Sequence, residues 1–221
     1  MQLKKLVMKD LVTLVVTAAA FDASCPLTQT RAHAQQIARH THYHIIELRT
    51  LGGTFTQPGG INERGEIEGW SELAGDSAQH AFLLSHGKLI DIPTLGGPNS
   101  IAGWAPSNSG RVGAAADTTI PDPLGQDFCQ FGTHLMCQPF FWKDGKITRL
   151  PLPGGHNAVV NTVNNRDEGV GKGQKSIIDP DCGAHDLQTQ GVIWKGNRIE
   201  LVLPNFPGAH QGSGHSLNDI G

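Results

Sequence analysis

The sequence predicts an all-β fold built from repeats: β-propeller-like blades of four antiparallel strands. Three observations carry that expectation. Gly supplies 28 of 221 residues and Pro 13, a composition of short elements joined by tight turns. One phrase occurs three times with its pattern kept, as HAFLLSHGKLIDIPTLGG (80–97), QPFFWKDGKITRLPLPGG (138–155) and QGVIWKGNRIELVLPNFPGA (190–209). The shortest repeat, Gly52 to Gly96, spans 44 residues, the period of a four-stranded propeller blade. A β-sandwich needs no internal repeat, and solenoid coils repeat at shorter periods.

Within each phrase the centre is a hairpin turn. Ser85-His86-Gly87-Lys88 aligns with Lys143-Asp144-Gly145-Lys146 and Lys195-Gly196-Asn197-Arg198. Gly- and Asn-containing pairs tolerate the positive φ that two-residue hairpins require. Before the turn the run is nearly all apolar (Ala81–Leu84, Phe140–Trp142, Val192–Trp194), which predicts a strand covered on both faces. After the turn Leu89, Asp91 and Pro93 alternate with Ile90 and Ile92, which suits a strand nearer solvent.

Next comes a small-residue pair: Gly52-Gly53, Gly96-Gly97, Gly154-Gly155 and Gly208-Ala209. Asn62, Asn164 and Asn218 each lie nine residues past the second member, and Ser107-Asn108 stands near that place in the second repeat. An Asn among polar residues predicts a further turn, so a second hairpin precedes each apolar one. Units begin near 51, 95, 152 and 206. From Gly96 to Gly154 is 58 residues and from Gly154 to Gly208 is 54. From the second Gly of each pair to His80, Gln138 and Gln190 the distances are 27, 41 and 35, so insertions of 14 and 8 residues sit at one equivalent connection, after Val112 and after Val170. Insertions at one connection map to one face of a repeat assembly.

About three and a half units are present, whereas closed propellers have roughly 4–8 blades. The expectation is therefore an incomplete set of blades: part of a longer product, an open arc completed by association, or a last strand that closes the first unit.

Residues 1 to about 34 read as an export signal, with Lys4 and Lys5, an apolar run from Leu11 to Phe21, and Ala32-His33-Ala34 as the small-x-small cleavage pattern. The run is short for a span of about 20 residues, so no membrane span is expected after signal removal. A lipoprotein would use Cys25, but Asp22 stands where an aliphatic residue belongs. A buried amphipathic helix is the competing reading. Residues 35–50 are expected to form an N-terminal strand region. Net charge is −3 and the pI about 6.4, without the basic footprint of nucleic-acid binding. Cys129 and Cys137 are candidates for a disulfide in an oxidising compartment, with Cys182 as an alternative partner for either.

The phrase QHAFLLSHGKLIDIPTLGG followed by SIAGWAPSNSGRVG resembles the HAF repeat of extracellular bacterial proteins. Its His-Ala-Phe triplet is His80-Ala81-Phe82, replaced by Gln138-Pro139-Phe140 and Gln190-Gly191-Val192 in the next units. Leu51-Gly52-Gly53 and Leu95-Gly96-Gly97 match its Leu-Gly-Gly motif, and Leu152-Pro153-Gly154-Gly155 carries an extra residue. The resemblance covers residues 43–221. It implies export, to the cell envelope, periplasm or medium, and a repeat fold; it brings no activity.

Three constellations are candidate sites. His40, His42 and His44 alternate, so a strand would set three imidazoles on one face for zinc or copper; same-side residues lie about 7 Å apart, which favours a solvated strand. Asp179, Asp181, His185 and Asp186 fall in one insertion, where alternately spaced carboxylates suit Ca²⁺ or another hard ion held by a loop, or form a polar loop stiffened by Pro180. His80, Gln138 and Gln190 are repeat-equivalent and would line a channel or tie one unit to the next. GSGHS (212–216) lacks the order of a nucleophile elbow, and GVGKGQKS (169–176) lacks phosphate-loop spacing. No cofactor is required. The expectation is an exported, non-enzymatic interaction scaffold, with an envelope protein or an extracellular glycan as partner. The alternative is a propeller-type hydrolase or lyase, metal-assisted, with its site at a central channel.

Overall fold

Apolar runs that must be covered on both sides, each joined to the next strand by a tight turn, leave the backbone little choice but stacked meanders. The computed structural model describes residues 45–182 and 185–220. Residues 49–221 form one unit and residues 1–48 another. The export-signal region and His40, His42 and His44 lie outside the described residues. The described part of the expected N-terminal strand region, residues 45–50, is irregular. Among the described residues no helix is long and apolar enough to cross a membrane.

The described residues form three four-stranded antiparallel sheets in which sequence neighbours pair. The first holds β1 (Gly52–Ile61), β2 (Ile67–Leu73), β3 (Gln79–Ser85) and β4 (Lys88–Ile92). The second holds β5 (Ser100–Ala102), β6 (Val112–Pro121), β7 (Leu135–Lys143) and β8 (Lys146–Arg149). The third holds β9 (Ala158–Val163), β10 (Glu168–Ile178), β11 (Leu187–Lys195) and β12 (Arg198–Val202). The β3–β4 turn has φ of 51° at His86 and 75° at Gly87, and the β7–β8 turn has 49° at Asp144 and 79° at Gly145. Both central residues are left-handed, as the twist of such hairpins demands.

Sheets stack through their first strands: β5 lies against β2 and β3, and β9 against β6 and β7. The alternation of side chains along β7 explains its apolar sequence. Phe140 and Trp142 enter the core shared with Ala81, Leu83 and Ile92 of the first sheet. Phe141, between them, enters the core shared with Val160, Val192 and Trp194 of the third. Each such side chain, fully buried, contributes about 1.5–3 kcal/mol, so neither interface is separable from this one strand. On the neighbouring strand the second sheet is small: a Cβ added to Gly113 would sit 2.5 Å from Val160 Cγ1.

The Gly pairs have a steric cause. Gly52, Gly96 and Gly154 have φ of 113°, 111° and 140°, a region that side chains rarely adopt. A Cβ on the following Gly53, Gly97 or Gly155 would lie 2.6, 2.5 or 2.8 Å from a backbone oxygen of Leu73, Thr118 or Lys175. The chain there passes too close to the end of the unit's own second strand for any larger residue.

Two polar rows cross the sheets. The first joins the turns between first and second strands. The backbone N–H of Glu63 donates to Asn108 Oδ1 (3.1 Å), that of Asn108 to Asn165 Oδ1 (2.6 Å), and that of Asn165 to Asp219 Oδ1 (2.8 Å). These four residues occupy one position in successive units. Beside them Asn62 and Asn164 close their own turns, each Oδ1 accepting from two backbone amides. Their Nδ2 groups reach the next unit, at Ser107 O (2.9 Å) and Asn218 O (3.0 Å).

The second row lies at the opposite ends of the strands. Asn99 Oδ1 accepts from Gln79 N (3.0 Å), and Asn157 Oδ1 accepts from Cys137 N (2.7 Å). Each fastens the start of its unit to the third strand of the unit before. Asn157 is fully buried and also donates to Gln174 Oε1 (3.0 Å) and Asp122 Oδ2 (2.6 Å). Truncating it leaves the Cys137 amide and Asp122 Oδ2 without these partners, while Gln174 Oε1 keeps its bond from the backbone N–H of residue 157 (3.0 Å). The Asn157→Ala variant is expected to lose about 2–4 kcal/mol of stability in equilibrium urea unfolding. A loss below about 0.5 kcal/mol would show that this row is incidental to the fold.

Candidate functional site

The extra residues of the second and third units extend the hairpins β6–β7 and β10–β11 past the point where β2–β3 turns. Both second strands bulge at matching places, between Asp117 and Pro121 and between Gln174 and Ile178. Ile120 and Ile177, each three residues beyond, are both 54% exposed. The two loops, 122–134 and 179–186, meet where Gln126 Nε2 donates to Asp186 Oδ1 (3.0 Å) and Gln126 Oε1 accepts from Gln174 Nε2 (2.7 Å). The insertions thus form one surface shared by two units.

The first loop is closed by local polar bonds. Asp122 Oδ1 accepts from the backbone of Leu124 (2.8 Å) and Gln126 (3.1 Å), and Asp127 accepts from Phe131 and Gly132. Cys129 and Cys137 are disulfide-bonded, with Cα atoms 6.1 Å apart, and Cys182 is free and exposed. Lys172 of β10 lies 4.7 Å over the ring of Phe128, and burial pushes its amine below the usual lysine range. Asp117, at the base of this loop, is pushed up by burial despite bonds from Asn99 and Thr133.

In the second loop Asp179 and Asp181 come together, but with His210 rather than His185. His210 Nδ1 lies 2.8 Å from Asp181 Oδ2 and 3.4 Å from Asp179 Oδ1. His185 is exposed and stands outside this group. The imidazole arrives from the segment after β12, beyond the reach of any local spacing rule. Asp179 is buried; a backbone N–H from Asp181 and an amide from Gln211 hold its carboxyl below the usual carboxylate range.

His80, Gln138 and Gln190 sit at matching registers on third strands, opposite Ser71, Ala116 and Gly173. His80 Nδ1 contacts Asp91 Oδ1 of its own sheet at 2.8 Å. The side chains that fasten one unit to the next here are Asn99 and Asn157 instead. Their signal was present: an amide residue two places after three of the four small-residue pairs, in Gly97-Pro98-Asn99, Gly155-His156-Asn157 and Ala209-His210-Gln211, with Phe55 at that place after Gly52-Gly53.

A different group assembles along the first strands. Trp104, just after β5 and 49% exposed, meets the ring of His215 edge-on at 5.8 Å. Between them lies β9, whose Asn161 Nδ2 donates to Gly214 O (2.7 Å) and whose Thr162 Oγ1 donates to His215 O (2.7 Å). Behind Trp104 is Glu68, wholly buried. Its Oε1 accepts from Trp104 N (3.1 Å), while its Oε2 has no partner. The equivalent residues of the other units are Gly113 and Val170. Burial raises the Glu68 carboxyl to about 8 against one bond that lowers it. No family model, curated protein or solved structure matches the chain.

Glu68 gives stability a pH dependence whose sign follows from the raised value. Below about pH 4.5 the carboxyl is protonated both folded and unfolded. Between there and about 8 only the unfolded chain ionises, so stability falls with rising pH by up to about 1.4 kcal/mol per unit. Above 8 the decline stops. Glu68→Gln is expected to match the parent near pH 4 and to exceed it near pH 8 by a few kcal/mol. Urea melts across that range test this; parallel curves for the two proteins would show that Glu68 is not held neutral.

Proposed function

We propose that the protein is an exported, non-enzymatic repeat scaffold of the HAF-repeat kind, whose sheets are propeller blades and whose insertions form the recognition surface. The partner is an envelope protein or an extracellular glycan. The observation that carries this reading is the junction of the two insertions at Gln126, Asp186 and Gln174. Recognition loops are commonly carried on a rigid scaffold. Here equivalent hairpins of successive units present one joined surface with Ile120 and Ile177 exposed beside it.

The blade reading is supported by the Trp104–His215 contact. Rings from the second and fourth units touch across the first strand of the third, as expected where sheets radiate from a common line. Two features weigh against the hydrolase or lyase alternative. Glu68 has no solvent access, and His80, Gln138 and Gln190 lie on third strands, not beside the first strands where a central channel would run. A catalytic pocket needs acid and base groups converging on one reachable point.

The test is a variant in which 122–134 and 179–186 are each replaced by Asn-Gly and Cys137 by Ser. Binding to purified cell-wall glycan and to immobilised envelope proteins is measured, with circular dichroism as the folding control. At least tenfold weaker binding by a folded variant is expected. Unchanged binding, or no binding by the parent, would overturn the recognition surface. Release of sugar or peptide products by the parent would restore the enzymatic alternative. Mass spectrometry of the mature chain tests export: processing near Ala34 is expected, and an intact N-terminus retained in the cell would refute it.

A further inference from the structure

Asp179 and Asp181 come from the insertion of the third unit, and His210 from the segment that follows β12. Their donor atoms all lie within 4.8 Å of one another. Two ligands held about 2.1 Å from one ion at the tetrahedral angle lie about 3.4 Å apart. His210 Nδ1 and Asp179 Oδ1 stand at 3.4 Å. His210 Nδ1 and Asp181 Oδ2, at 2.8 Å, need to open by about half an ångström to match the same edge. Asp181 is exposed on a turn and free to do so.

The Asp179 carboxylate is 1% exposed, and among the described residues its ion pair is with His210. Gln211 Nε2 engages Oδ2 and the Asp181 amide engages Oδ1, which leaves a lone pair of Oδ1 toward the imidazole. Such outer bonds are what orient metal-ligating carboxylates. Cys182, next to Asp181 on the same turn, has a free and exposed thiol; it stands outside the three-residue group and would have to swing in to supply a sulfur donor.

We propose that Asp179, Asp181 and His210, with Cys182 as fourth ligand, form a zinc site that clamps the segment after β12 onto the third-unit insertion. The donor set decides the metal. Imidazole and thiol ligands suit zinc, whereas calcium takes six to eight oxygens. The ligands come from two successive units, so the ion acts as a cross-link. It reinforces the tie already made where Thr189 N donates to His210 O (3.1 Å).

The test uses the full chain, stripped with a chelator and titrated with zinc against a chromophoric competitor. A variant with His40, His42 and His44 all changed to Ala serves as the reference background. One zinc per chain is expected in that background, unaffected by millimolar calcium. His210→Ala is expected to weaken it by more than about 100-fold, since outer partners alone account for 10–100-fold. Cobalt substitution should give a sulfur-to-metal charge-transfer band that Cys182→Ser removes. Absence of stoichiometric zinc in the reference background, or its retention in His210→Ala, would overturn the site. A cobalt band that survives Cys182→Ser would overturn the fourth ligand.

Discussion

The fold depends on a hydrogen-bonded row in which each unit's turn donates a backbone amide to a side chain of the next. Glu63, Asn108, Asn165 and Asp219 occupy one position in four units, and the bond between successive members recurs. Apolar burial supplies most of the driving force for stacking, but it is not directional. A one-residue slip between sheets would keep much of the burial and break every bond in the row. The row sets which layer of one sheet faces which layer of the next.

Layering of this kind needs strands that serve two interfaces at once. β7 does so, with Phe140 and Trp142 on one side and Phe141 on the other. The insertions can be long because they lie outside the apolar cores: they lengthen hairpins beyond the residues of the two buried clusters. Their own order comes from Asp122, Asp127 and the Cys129–Cys137 bond rather than from a core.

The turns and the apolar third strands were legible because their causes are local. Asp144-Gly145 requires positive φ, and an apolar run of three or four residues needs cover. The grouping into four-stranded units followed from the repeat length. The contacts between units were not legible, because they depend on which residues face each other across sheets. Asn99 and Asn157 recur in the sequence, yet nothing local distinguishes a fastening amide from a turn amide. His185 looked like the partner of Asp179 because it is near in sequence; His210 is the partner because the chain returns to that place one unit later. Glu68 gives no local signal, because a carboxylate between Ile67 and Gly69 reads as solvated.

The same row has a polarity. In each rung a backbone amide of the earlier unit donates to a side chain of the later one, and in the first rung Asn108 Nδ2 also donates back to Glu63 Oε2 (2.9 Å). The two faces at the extremes of such a stack are therefore chemically unlike, one offering an acceptor and the other an amide. Like faces cannot join through this pattern; only opposite ones can. Growth of the stack by the same bonds would be vectorial, in the way a zipper closes from one side, and a two-fold symmetric pairing would have to use other surfaces.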